Sequence, residues 1–392
     1  MKIHISMILK LTMALALYGS TLLNANAAPM PEALKSTQSL PELSAKSWVL
    51  LEPVTGWVIA SENADMKIEP ASLTKLMTIY LAFSKLASDQ LQLDEKILIS
   101  KKAWQTEGSR MFAEVNDEIS LLKILKSIII QSGNDASVAL AEHIAGTEDA
   151  FADMMNETAS SLQLTNTNFK NSTGLPDKDH YSSAYDIARL SAAIIQQFPQ
   201  YYAWFSAKEF THNNIVQNNR NRLLWRSKDV DGLKTGHTEA AGYCLAATSK
   251  KDDLRVIAVV TGTNSDQERS DQTMSLLRYG HSNYSISTVL AADESVKKMT
   301  VYGGETDKVN IIPLRAFPVL VPKGQQDKLS YNAEMPANIS APIDDRQTIG
   351  IATVQYQDKT IGQVPLVVAE QVPLGSLLKR TVDYMKKMVD DF

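Results

Sequence analysis

The chain has 392 residues, 44% of them hydrophobic and 21% charged, with 14 Pro and 17 Gly. This is globular composition, and it excludes a collagen-like, low-complexity or wholly disordered protein. A net charge of −5 without a long basic run, and aromatics at only 7%, argue against a nucleic-acid partner. The single cysteine, Cys244, excludes an intrachain disulfide and a Cys-based zinc cluster. The length predicts two or three domains.

Residues 1–27 read as a signal peptide. Lys2 and Lys10 make a basic start with no acidic residue, Leu11 to Leu17 is apolar, and Ala25-Asn26-Ala27 offers small residues for cleavage. The alternative, an uncleaved membrane anchor, needs about 20 apolar residues, more than this run supplies. Export is therefore expected, with a mature net charge of −7 once two positive charges leave a total of −5. Residues 28–45 are polar and Pro-bearing and predict a flexible leader. Cys244, inside an apolar strand-like run, reads as a buried structural thiol rather than a nucleophile.

A strand pair is expected at Ser47–Glu52 and Trp57–Ser61, turned at Pro53-Val54-Thr55-Gly56. Pro70 opens a helical pattern that runs to about Leu86 and is apolar on several faces, hence buried. Helical periodicity continues over Leu121–Gln131, Ala136–Ala145, Ala150–Leu162 and Ser183–Gln197. Three antiparallel strands follow, Gly232–Thr238, Gly242–Thr248 and Leu254–Thr261, with a covering helix at Gln272–Tyr279. The fold class is thus an α/β (α+β) domain over residues 46–290, its mostly antiparallel sheet flanked by helices. From 291 to 373 short β-branched segments bounded by Pro, Gly, Asn and Asp predict a small all-β domain, among them Lys308–Pro313, Phe317–Val321, Gly350–Tyr356 and Gln363–Val368. Residues 374–392 predict an amphipathic helix. Leu374, Leu377, Leu378, Val382, Met385, Met388, Val389 and Phe392 form one face, which suits packing on the β domain or lying in a membrane surface.

Three short motifs stand in order: Ser72-Leu73-Thr74-Lys75, Ser132-Gly133-Asn134 and Lys234-Thr235-Gly236. Ser-x-x-Lys alone means little, since it recurs at Ser120, Ser295 and Ser376. Ser72 differs in sitting at the expected start of a buried helix, with Lys75 one turn on and on the same side. A lysine in apolar surroundings has a lowered pKa and can take the proton of a serine hydroxyl. Ser132-Gly133-Asn134 falls between two helices, where it can reach a cleft or simply cap the helix ends; Ser132 can relay a proton and the Asn134 amide can both donate and accept. Lys234-Thr235-Gly236 lies on a strand, either as a solvated surface or as an edge along which a peptide could lie, Gly236 permitting close approach. The N–H of His237 points where an oxyanion could sit.

Together, spaced by 60 residues from Ser72 to Ser132 and by 102 from there to Lys234, the motifs resemble those of the penicillin-binding proteins and class A β-lactamases. With Leu223-Leu224-Trp225 and Val230-Asp231-Gly232-Leu233-Lys234-Thr235-Gly236-His237-Thr238, the chain is similar to the low-molecular-mass D-alanyl-D-alanine carboxypeptidases of the penicillin-binding protein 5 type, over essentially its whole mature length. The resemblance implies a serine acyl transfer in which Ser72 attacks the bond between the last two D-alanines of a peptidoglycan stem peptide. It implies Lys75 as general base, an oxyanion hole from the N–H groups of Ser72 and His237, proton delivery through Ser132 and Lys234, and substrate positioning by Asn134. Thr235, Arg220 and Arg269 would meet the terminal carboxylate. It further implies acylation by β-lactams, no metal or cofactor, and a tail, residues 374–392, on the periplasmic face of the bacterial cytoplasmic membrane; a homodimer is left open. Arg222, where some relatives carry Gly, bears on substrate preference alone.

A class A β-lactamase would need a Glu-x-x-Leu-Asn loop, which the chain lacks. A non-catalytic β-lactam sensor or scaffold would couple to a spanning helix or a signalling domain. A D,D-endopeptidase shares the three motifs and is not separated by them.

Overall fold

The computed structural model describes residues Ala33–Asp390. The expected signal segment 1–27 and the terminal Phe392 lie outside the described residues. Strands β1 (Ser47–Leu51) and β2 (Val58–Glu62) form the expected hairpin. Glu52 shapes its turn by accepting the N–H groups of Val54 and Thr55, each at 2.7 Å. A 3-10 turn at Ala71–Thr74 leads into α1 (Lys75–Ala87). Strands β3 (Lys96–Leu98) and β4 (Glu118–Ser120) pair, with α2 (Lys101–Gln105) between them in sequence. Helices α3 (Leu121–Ile130), α4 (Asn134–Ala145), α5 (Glu148–Ser161), α6 (Ala184–Gln197) and the short α7 (Pro199–Tyr202) follow. A hairpin of β5 (Glu209–His212) and β6 (Ile215–Asn218), then α8 (Leu223–Arg226), precede the long strands β7 (Val230–Thr238), β8 (Gly242–Lys251) and β9 (Leu254–Thr263) and helix α9 (Asp266–Asn283).

The long strands and the first hairpin make one antiparallel sheet in the order β2-β1-β9-β8-β7. Both faces are covered, which is why β9 reads as a nearly continuous apolar run rather than an alternating one. Val256, Ala258 and Val260 face a core shared with Met274 and Leu277 of α9. The intervening Ile257 and Val259 are fully buried on the other face, where α6 crosses. Strand β7 closes one edge of this sheet, pairing with β8 alone. Its Gly236 lies so close to the 3-10 turn that a Cβ there would come 3.0 Å from the Pro70 carbonyl oxygen and 3.3 Å from Leu73 N.

The second domain holds β10 (Tyr284–Leu290), β11 (Lys297–Tyr302), β12 (Lys308–Pro313), β13 (Phe317–Pro322), β14 (Leu329–Glu334), β15 (Asn338–Ser340), β16 (Thr348–Tyr356) and β17 (Lys359–Val368). They form a six-stranded sheet, β14-β16-β17-β12-β11-β15, and a β10-β13 pair around a core of Val301, Val319, Val354 and Leu366. Helix α10 (Leu377–Asp390) ends the described chain.

Four expectations change. Residues 33–45 are no free leader: Ala33 N donates to the Val58 carbonyl at 2.9 Å, Ser36 N to the Tyr284 hydroxyl at 3.1 Å, and Ala45 N to Gln272 at 3.0 Å. Its polar residues hid the few apolar ones, such as Leu43, that pack on the core. Residues 284–290, assigned above to the first domain, form a strand paired with β13, and Leu290 sits in the second core. Helix α9 begins at Asp266 rather than near Gln272, because its first turns are polar and capped, Ser265 Oγ accepting from Glu268 N at 3.1 Å. Ser72 belongs to the 3-10 turn, not to the first turn of the α-helix.

Candidate active site

The 3-10 turn holds Ser72 at the mouth of a cleft of about 780 Å³ between the helices and the edge strand β7. Lys75, the first residue of α1, is fully buried. Its Nζ lies 3.1 Å from Ser72 Oγ and donates to the Thr173 carbonyl at 2.5 Å. Burial, and next the positive charge of Arg220, lower its pKa to about 7, against the opposing pull of Asp135 and Glu148. A neutral amine can therefore sit beside the Ser72 hydroxyl near neutral pH and accept its proton.

The carbonyl that holds Lys75 belongs to a tight loop. Asn171 Oδ1 accepts from the N–H of Thr173 and Gly174, at 3.2 and 2.7 Å. Gly174 has φ +80°, and a Cβ there would stand 1.8 Å from the Ala71 carbonyl oxygen. His180 braces the same region. Lys170 N donates to Nδ1 at 3.1 Å, so the proton resides on Nε2, which donates to Thr74 Oγ1 at 2.8 Å.

Ser132 sits between α3 and α4 with φ +69° and lines the cleft. Its Oγ is buried without a hydrogen-bond partner, as is Asn134 Oδ1, while Asn134 Nδ2 donates to the Glu107 carbonyl at 2.6 Å. Buried polar atoms left unpaired are costly in a native fold unless something else meets them, and Ser132 Oγ is placed to meet a substrate. Asn134 is the first residue of α4 and stands behind the cleft wall rather than in it. The Asp135 carboxylate accepts Ala136 N at 2.8 Å in the first turn of α4 and Met111 N at 3.0 Å, tying the segment before β4 to that helix end.

On β7, Lys234 is buried and its Nζ donates to the Thr235 carbonyl at 3.0 Å. Burial, then the charges of Lys75, Arg220 and Arg269, push its pKa well below the ordinary lysine value. Thr235, Gly236 and His237 line the cleft, and the His237 ring lies 4.0 Å from that of Tyr243. Arg220 and Arg269 line it as well. Arg269 Nη1 donates to the Gly236 carbonyl at 3.0 Å, and its Nη2 pairs with Asp266. Arg222 bonds the other oxygen of Asp266 at 2.7 Å. Among the described residues no carboxylate pairs with Arg220, which leaves its charge facing the cleft.

All ten residues singled out from sequence thus gather in or directly behind one cleft. Sequence reading missed Asp266 and Tyr243, and it missed that Asn218 and Asn219 reach the cleft wall at the end of the β5–β6 hairpin. Asn213-Asn214, both with positive φ, was the available signal for that hairpin. The Ser265…Glu268 spacing was the signal for the start of α9, and so for Arg269 and Asp266. Cys244 is buried and its thiol is pushed up to about 11, which excludes it as a nucleophile. Among the described residues no group of three or more His, Cys, Asp or Glu side chains is arranged to hold a metal ion.

The family described as D-alanyl-D-alanine carboxypeptidase, Peptidase S11, matches residues 34–265. The chain belongs to this family. The C-terminal domain of penicillin-binding protein 5 matches residues 284–374, which agrees with the boundary set by β10. The D-alanyl-D-alanine carboxypeptidase DacC of Escherichia coli K12 is 38% identical over 367 residues, covering 91% of this chain and 92% of that protein. The crystal structure of penicillin-binding protein 5 from Haemophilus influenzae, 35% identical, superposes with a TM-score of 0.78 over 86% of this chain and 99% of that one. Penicillin-binding protein 6B of Escherichia coli does so with a TM-score of 0.72 at 34% identity, over 86% and 99%. The chain is accordingly a serine peptidase with the penicillin-binding fold and a C-terminal all-β domain. The non-catalytic scaffold and class A β-lactamase alternatives give way to it.

Proposed function

We propose that the chain removes the terminal D-alanine from peptidoglycan stem peptides through an acyl-enzyme on Ser72. The observation that carries this reading is the 3.1 Å approach of a lysine amine with a pKa near 7 to the Ser72 hydroxyl, in a cationic cleft beside a free sheet edge. The substrate lies along β7 as an added strand, with its carboxylate toward Thr235, Arg220 and Arg269. Lys75 Nζ takes the hydroxyl proton as Ser72 Oγ bonds to the carbonyl carbon. The N–H groups of Ser72 and His237 receive the developing oxyanion. The carbon–nitrogen bond then breaks, the leaving D-alanine nitrogen gaining a proton delivered through Ser132 and Lys234, and water hydrolyses the ester. Asn134 supports the wall against which the peptide rests. A β-lactam presents a strained amide and a carboxylate to the same groups and acylates Ser72.

The substrate places the protein outside the cytoplasmic membrane, in the periplasm. No helix among the described residues is long and apolar enough to cross a bilayer. Helix α10 suits the membrane surface instead. It turns polar groups to the β domain, Asp383 accepting Gly303 N at 3.0 Å and Lys379 pairing with Asp307 at 2.7 Å, while Leu377 and Leu378 stay 78% and 77% exposed. This is the reverse of a helix packed by its apolar face, and it supports an interfacial role.

The test is release of free D-alanine from an N-acylated peptide ending in Lys-D-Ala-D-Ala, alongside labelling by a fluorescent penicillin. Ser72→Ala should lose both. A Ser72→Ala protein that still labels at the normal rate would place the nucleophile elsewhere.

A further inference from the structure

A buried acid behind the catalytic lysine has no part in the chemistry above. Glu148, the first residue of α5, is only 8% exposed, and both of its carboxylate oxygens are engaged. Oε1 accepts from Ser172 N at 3.1 Å and from Ser172 Oγ at 2.8 Å. Oε2 meets Lys102 Nζ of α2 at 2.8 Å. The Ser172 carbonyl in turn accepts from Thr78 Oγ1, one turn along α1 from Lys75, at 2.7 Å. The next residue, Thr173, supplies the carbonyl that receives a hydrogen bond from Lys75 Nζ. The chain of contacts therefore runs from α2 through Glu148 and the adjacent loop residues Ser172 and Thr173 to the general base.

We propose that Glu148, paired with Lys102, is a positioning residue for Lys75: through Ser172 it fixes the Thr173 carbonyl that aims the amine at Ser72. The pair also adds to the electrostatic field around that amine, behind burial, Arg220 and Asp135. The inference rests on the carboxypeptidase reading and deepens it. A fixed acceptor on one side of the amine leaves its lone pair directed at the serine hydroxyl, so misplacement of the loop costs rate without touching substrate. The field has a definite sign. The charged groups around Lys75 are Arg220 ahead of α8, Lys234 on β7, Asp135 on α4 and Glu148 on α5, with His180 neutral above about pH 4. Those around the Glu148–Lys102 pair are Asp149 on α5 and Glu142 on α4. Glu148 favours the charged form of Lys75, and Lys102 offsets Glu148.

Opposite shifts follow for the two partners. Glu148→Gln keeps an acceptor for Ser172 but removes the negative charge, so the amine loses its proton more readily and the acidic limb of the acylation rate moves to lower pH. Lys102→Met removes the offsetting charge, so the same limb moves to higher pH. Glu148→Ala, which removes the acceptor altogether, should lower the plateau rate by roughly ten- to a hundredfold. The experiment measures acylation of the purified full chain by a fluorescent penicillin as a function of pH, with thermal melting recorded for each variant. The Lys102 side chain is 54% exposed, so Lys102→Met is the variant least exposed to a folding defect. Limbs moving in opposite directions establish the role, because general destabilisation moves neither in this paired way. Limbs that stay at the wild-type pH or move together, or a Glu148→Ala plateau equal to wild type, would overturn it while leaving the carboxypeptidase reading intact. A wild-type protein that penicillin does not label would overturn both.

Discussion

Lys75 carries the pH dependence expected of the enzyme. Burial, and next the charge of Arg220, lower its pKa to about 7, and in the proposed mechanism the amine acts only when neutral. Acylation by penicillin and release of D-alanine should both rise with pH through about 7, far below the ~10.4 of a free lysine. Lys75→Arg keeps a cation that does not deprotonate, so it should retain reversible penicillin binding and lose acylation. Acylation by that variant at the normal rate would assign the base to another group. Arg220 offers a contrasting test. Its unpaired charge faces the cleft, so Arg220→Gln should raise KM for the peptide by roughly 10- to 100-fold, the loss of one charge-assisted contact of about 1.5–3 kcal/mol, with a smaller change in kcat. A fall confined to kcat would move Arg220 out of the carboxylate subsite.

The loop between α5 and α6 is the element on which the site leans, and it is held from several sides: Asn171 and Gly174 within it, Glu148 below it and His180 at its end. Gly174→Ala meets both a left-handed backbone and the Ala71 carbonyl, and neither can give without moving Ser72. It should destabilise the protein by on the order of 3 kcal/mol and abolish penicillin labelling; a melting temperature and labelling rate like wild type would disprove the clamp. His180 makes the loop acid-sensitive. Its folded-state pKa of about 4 lies below the 6.5 of the free group. The unfolded chain therefore binds a proton that the folded chain refuses between those values, and stability falls as pH drops from 6.5 toward 4. The loss amounts to about 3 kcal/mol, with no contribution above 6.5. Denaturant unfolding at pH 7 and pH 4.5 measures this, and His180→Gln should flatten that part of the dependence.

At the scale of the whole molecule, the catalytic domain and the β domain separate two tasks. Each has its own core, and every residue named in the proposed chemistry lies in the catalytic domain, on the 3-10 turn, α1, α4, β7, α9 or the loops between them. Among the described residues, helix α10 bonds to the β domain through Asp383, Lys379 and Lys387, the last donating to Ser340 at 3.1 Å. Deleting residues 374–392 should therefore leave activity on small peptides nearly unchanged and abolish sedimentation with vesicles of mixed zwitterionic and anionic phospholipid. The segment has four basic and three acidic residues, so on the proposed membrane-surface role its net +1 would supply little attraction and the apolar face most of the binding. Retained sedimentation, or collapse of peptidase activity, would show that the helix serves the protein and not the membrane surface.

Sequence by itself determined what local chemistry and periodicity encode. Residues 71–86 read as a buried helix because apolar side chains occupy several faces. Residues 254–261 read as a strand because a β-branched run of that length suits a sheet covered on both sides. The three motifs pointed to the proposed reactive groups because serine, lysine and asparagine at those spacings are chemically distinctive as a set. Tertiary structure alone decided how those groups meet. Ser72 and Lys75 owe their contact to a 3-10 turn that only the close approach of Gly236 and Gly174 permits. Arg269 and Asp266 arrived on a polar helical turn with no hydrophobic period to announce it. The depressed lysine pKa values depend on burial and on the positive charges of Arg220, ahead of α8, and Arg269, on α9, brought beside α1 and β7 at distances that no linear spacing contains. Glu148 is the clearest case, an ordinary acid at a helix start in the sequence, made consequential by a loop 24 residues away that folds back over it.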